Sequence, residues 1–142
     1  MKRTGLWIGL AIGVVLIAVS GLVAYRYLAP VRVEIVGLAD GVPFTIETLP
    51  RTVLARPGEM IKVTYRIRNE ARSPLEAYGA ITIEPKSAVD QIEIFLSQCG
   101  GINTYQSTGA EDYDVMFRVQ PAGLTGSARL VLKHTFTPAT IR

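Results

Sequence analysis

Twenty-two consecutive uncharged residues run from Thr4 to Tyr25, directly after Met1, Lys2 and Arg3 and up to Arg26. At about 1.5 Å of rise per residue such a run covers roughly 33 Å, enough for the hydrocarbon core of a bilayer. Backbone groups in lipid need internal partners, so the segment is expected to be helical. Lys2 and Arg3 favour a cytoplasmic start, and Trp7, Tyr25 and Tyr27 fall near the two ends, where amphipathic rings prefer the interface. The expectation is a single-pass protein of an inner (cytoplasmic) membrane: residues 1–29 form a cytoplasmic N-terminus and anchor, and residues 30–142 form an extracytoplasmic domain on the periplasmic side.

A cleavable signal peptide competes with the anchor, because Ala18, Val19 and Ser20 offer small residues in a processing pattern. The anchor is preferred, since the apolar run is long for a signal and Leu22, Val23 and Ala24 continue it beyond that point. Gly5 with Gly9, and Gly9 with Gly13, form small-xxx-small pairs that would let two such helices approach closely. Glycine is also simply common in membrane helices, and that is the plainer reading.

About 110 residues remain beyond the anchor, which suits one small domain. The formal charge of +3 belongs to the anchor region, because Pro30 to Arg142 holds three Lys and nine Arg against twelve acidic residues. No nucleic-acid partner is expected of a neutral domain without a basic stripe or an aromatic stacking run.

Strict alternation marks strands. Ile61, Val63, Tyr65 and Ile67 alternate with Lys62, Thr64, Arg66 and Arg68, and Tyr113, Val115, Phe117 and Val119 alternate with Asp114, Met116, Arg118 and Gln120. Ala128, Leu130, Leu132, His134 and Phe136 share one face of a last strand. Shorter strands are read at residues 31–35, 44–49, 75–84 and 92–96. Turn chemistry separates them at 56–59, 69–74, 84–87, 99–101 and 120–123. Seven or eight short strands predict an all-β, immunoglobulin-like antiparallel sandwich behind one N-terminal transmembrane helix. Residues 87–95 also fit a helical period through Ala88, Gln91, Ile92 and Phe95.

One His and one Cys in the whole chain exclude an ordinary single-chain zinc site, and no enzyme activity is expected. His134 could act as a general base, but its place between Leu132 and Phe136 on the apolar face favours a structural histidine. Glu111, Asp112 and Asp114 make a hard-cation site conceivable, and a solvated strand entry explains them more simply. Cys99 stands apart, because an unpaired cysteine outside the membrane is a liability unless buried, paired between chains or metal-bound. Gly100 and Gly101 would let the chain reverse just after it, leaving the thiol near a tip within a partner's reach. Thiolate favours Cu(I), and two chains could bring two sulfurs to one ion, with Met116 as an optional thioether. From this residue alone an inert cysteine is the plainer reading.

Several stretches carry a family likeness. Val42 to Val53 followed by Arg56 to Glu59, then Tyr65 to Asn69 with Pro74, then Glu84 and Pro85 leading through Ile94 and Phe95 to Gln98 and Cys99, and finally Val115 to Pro121 and Leu130 to Phe136, together cover most of residues 42–137. This part of the chain resembles the CtaG-type family of cytochrome c oxidase assembly proteins. The resemblance implies an anchored, dimerising domain that passes Cu(I) to the copper-B centre of a haem-copper oxidase, with a membrane-embedded oxidase subunit as partner.

The departure falls on the chemistry. The family's motif is Cys-Phe-Cys-Phe, and this chain reads Cys99, Gly100, Gly101, Ile102. No cysteine lies between Ala29 and Phe44 either, where the family carries one. His134 stands where the family tends to have Tyr. The implied site is therefore reduced to one Cu(I) bridged by Cys99 across a homodimer, because Gly101 replaces the second motif cysteine. The alternative is a copper-independent accessory or binding module that docks on an oxidase or another membrane partner.

Overall fold

The computed structural model describes residues 2–122 and 126–139, with side chains from residue 8 onward. Gly123 of the expected 120–123 turn, and the side chains of Lys2, Arg3 and Trp7, lie outside the described residues. Helix α1 spans Lys2–Leu28. Its stretch Ile8–Leu28 is long and apolar enough to cross a membrane, and none of that stretch is buried against the rest of the chain. Such uncovered Leu, Ile and Val surface needs an apolar surrounding other than water. The Ala29 amide still donates to the Tyr25 carbonyl at 2.8 Å, and Pro30 then ends the helix.

Among the described residues nine strands follow: β1 Val31–Ala39, β2 Phe44–Leu49, β3 Thr52–Ala55, β4 Met60–Asn69, β5 Leu75–Glu84, β6 Ile92–Ser97, β7 Gly101–Tyr105, β8 Ala110–Val119 and β9 Arg129–Pro138. They form two sheets, ordered β3-β1-β9-β5-β7 and β2-β4-β8-β6, packed as a sandwich. All neighbours pair antiparallel except β1 and β9, which run parallel with Val33 beside Leu130 and Ile35 beside Leu132.

The alternating residues behave as their period dictates. Val63, Tyr65 and Ile67 of β4, Val115, Phe117 and Val119 of β8, and Leu130, Leu132, His134 and Phe136 of β9 are all buried between the sheets. Each full burial of an aliphatic or Phe side chain contributes about 1.5–3 kcal/mol. Register keeps the faces matched, with Val63 opposite Val115, Tyr65 opposite Tyr113 and Ile81 opposite His134. Ala128 does not join that face: it is exposed, and β9 begins one residue later.

Two strands are additional to those read from the pattern. β3 is only four residues long, and β7 starts inside the expected 99–101 turn. The ambiguous stretch from 87 divides. Lys86–Gln91 is a short 3₁₀ helix that buries Ala88 and Gln91, and Ile92 then opens β6. Asn69 closes the 69–74 loop: its Nδ2 donates to the carbonyls of Ser73 at 3.0 Å and Tyr105 at 2.9 Å, and its Oδ1 accepts from the Ala71 amide.

Candidate functional site

Cys99 sits where the chain leaves β6 in one sheet and enters β7 in the other. The expected turn forms, with the Gly100 amide donating to the Ser97 carbonyl at 3.3 Å, but it joins strands of different sheets. Gly101, at φ 74°, then lets the backbone step across the edge of the sandwich. A residue on such a crossing has the core on one side and solvent on the other, and its small apolar side chain turns inward. The Cys99 thiol is accordingly 0% exposed, which corrects the expectation of a reachable tip. Burial pushes it up to about 12, so it stays a thiol at neutral pH.

The partner of the thiol is His134. Sγ lies 3.6 Å from Nδ1, both side chains being fully buried. Their approach depends on Gly79, since a Cβ there would fall 2.0 Å from the Cys99 carbonyl oxygen and 2.9 Å from His134 Nε2. The imidazole stacks on Phe136 with ring centroids 4.6 Å apart and meets the Tyr65 ring edge-on at 5.1 Å. Burial lowers its pKa to about 4, a shift that the Cys99 backbone only partly opposes. Nε2 has no hydrogen-bond partner among the described residues, and neither do the hydroxyls of Tyr65 and Tyr105. Tyr105 and Tyr113 continue the cluster, their rings 5.3 Å apart. Burial raises all three tyrosines, and the neighbouring Cys99 adds to the shift. His134 is thus held in mid-strand against a thiol and two rings.

The remaining candidates do not converge on Cys99. Met116 pairs with Lys62 and Leu96 on the outer face of its sheet, whereas the thiol points inward. The three carboxylates are already engaged. Asp112 binds Arg66 through two hydrogen bonds of 2.8 and 3.0 Å, and that contact lowers its pKa. Asp114 is lowered by Lys62 at 2.8 Å and by the Thr64 hydroxyl, and Glu111 accepts from the Tyr113 hydroxyl. Among the described residues no group of three or more His, Cys, Asp or Glu side chains could hold a metal ion.

What this arrangement offers chemically is one soft sulfur and one imidazole nitrogen, neighbouring and sealed. Position 134 was visible in the sequence as an inward-facing polar residue. Tyr65 was visible as an inward-facing strand residue, whereas Gly79 and Tyr105 carried no signal, because nothing local links positions 79, 99 and 134.

No known family model matches the chain. Over 106 residues it is 27% identical to the cytochrome c oxidase assembly protein CtaG of Sinorhizobium medicae (strain WSM419), an alignment covering 71% of this chain and 54% of that protein. The chain thus spans about half the length of the curated relative it matches.

Proposed function

We propose that this chain is a membrane-anchored assembly factor for a haem-copper oxidase, and that its β-sandwich acts by docking on a membrane-embedded oxidase subunit. Helix α1 serves as the anchor, with Lys2 and Arg3 on the cytoplasmic side and an immunoglobulin-like domain outside. The oxidase part of the reading rests on the likeness to CtaG. The observation that carries its copper-independent form is the burial of Cys99 as a protonated thiol. A carrier must give up its ion, and a ligand reachable only by opening the sheet crossing exchanges nothing quickly.

The test is complementation of a deletion strain with the full chain, read as assembled oxidase by haem absorbance and copper content. Cys99→Ala supports assembly as the parent does, whereas removal of residues 30–142 abolishes it. Loss of oxidase with a folded Cys99→Ala protein would refute docking without copper.

A second reading has one observation in its favour, the 3.6 Å approach of Cys99 Sγ to His134 Nδ1. Sulfur and imidazole together suit Cu(I), and an opened crossing would present both to the ion as cargo for the copper-B centre. In this reading the reduced full chain competes for Cu(I) with a chromogenic chelator, and Cys99→Ser and His134→Phe each remove that ability. Equal competition by parent and variants would end it.

A further inference from the structure

The five-stranded sheet is incomplete at its β5–β7 edge. β7 pairs with β5 only as far as Gly79 opposite Gly101, because the chain enters this sheet from the Cys99 crossing at mid-height. From Ala80 to Glu84, β5 is paired to β9 on one side and, among the described residues, to no strand on the other. An open groove of about 500 Å³ lies along this stretch, walled by Ile81, Ile83 and Val89 and flanked by Glu84 and Lys86.

An unpaired strand edge presents a row of amide and carbonyl groups that an extended segment can satisfy. β6, the edge strand of the opposite sheet, is blunted by a register shift between Ile94 and Leu96, whereas β5 keeps regular register with β9 through Glu84. These two rims therefore differ, and of the two it is β5 that keeps a regular edge able to take a strand. Charge gives the segment a direction. Glu84 is bound by Lys133, whereas Lys86 makes no ion pair among the described residues.

We propose that the free edge of β5, Ala80–Glu84, receives an extended segment of a partner protein as an added strand, with apolar side chains at alternate positions entering the groove and a carboxylate near Lys86. Alternation follows from the strand period, since every second side chain of an added strand faces the same way as Ile81 and Ile83. The surface deepens the docking reading above by naming where a partner segment binds. Val89 is 51% exposed, so the groove rim can be altered without disturbing the core.

The experiment uses the full chain in phosphatidylcholine nanodiscs and a displayed library of random decapeptides. The expected selection is enriched in alternating β-branched or aromatic residues with an acidic residue at one end. The most enriched decapeptide, made synthetically, slows hydrogen exchange of the amides at 80–84. Val89→Asp, which places a charge in the apolar groove, weakens its binding about tenfold or more. Ile102→Asp, an equally exposing change on β7 away from the groove, leaves it unaltered. The proposal is overturned by a library without enrichment, or by a selected peptide that ignores Val89→Asp. It is also overturned if protection at 80–84 appears without peptide and follows protein concentration, which marks a second copy, or lipid content, which marks the bilayer. None of these readouts involves an oxidase, so failure here is separable from failure of the complementation test.

Discussion

Acidification should destabilise this domain through His134. The imidazole is fully buried, and its folded-state pKa of about 4 lies below the ordinary 6.5. Above pH 6.5 it is neutral in both folded and unfolded chains and adds no pH dependence. As the pH falls from 6.5 towards 4 the unfolded chain binds a proton that the folded chain refuses, so stability falls. Below about 4 both states are charged and the loss levels off. At about 1.4 kcal/mol per pH unit the window corresponds to about 3 kcal/mol, a large part of the stability of a small domain.

The assay is urea unfolding of the full chain in detergent micelles, followed by far-UV dichroism of the strands, at a series of pH values from 7.5 to 4. His134→Phe is the reference. It keeps an aromatic ring against Phe136 and Tyr65 and cannot take a proton. Losing the contact with Cys99 displaces its curve by a constant amount, so slope and not offset is the readout. Asp112 and Asp114, with pKa values lowered by Arg66 and Lys62, add stability that is present above the ordinary carboxylate range and lost as pH falls through their folded values. That loss is common to both proteins and cancels. The parent should lose about 3 kcal/mol more than His134→Phe between pH 7 and pH 4. Parallel curves would refute the idea that the buried ring stays neutral.

Two further outcomes follow from the same core. Cys99 should resist a thiol reagent in the native chain and react at once in denaturant, because burial holds it as a protonated thiol; immediate native labelling would show the crossing to be open. Gly79→Ala should cost about 3 kcal/mol or more, since its Cβ would meet the backbone carbonyl of Cys99 at 2.0 Å, and an unchanged denaturation midpoint would place Cys99 elsewhere.

Much of the scaffold was legible in the sequence. An apolar helix with nothing of its own chain to cover it, and strands whose inward residues recur at every second position, are consequences of composition and local period. That is why Val63, Tyr65, Val115, Phe117, Leu130 and Leu132 were found where alternation put them. The short β3 and the offset β7 were not legible, because four or five residues beside glycines and prolines carry too little pattern. Packing against β1 and β5 makes them strands.

The orientation of Cys99 belonged to the tertiary level alone. A Cys-Gly-Gly stretch is equally compatible with a hairpin tip, which exposes the thiol, and with a step between sheets, which buries it. What decides between them is that β6 and β7 pair with different neighbours, β8 and β5, on opposite sides of the core. Pairing partners far apart in the chain set which way that backbone travels. The sulfur then faces His134 because Gly79, on a third strand, leaves room for both.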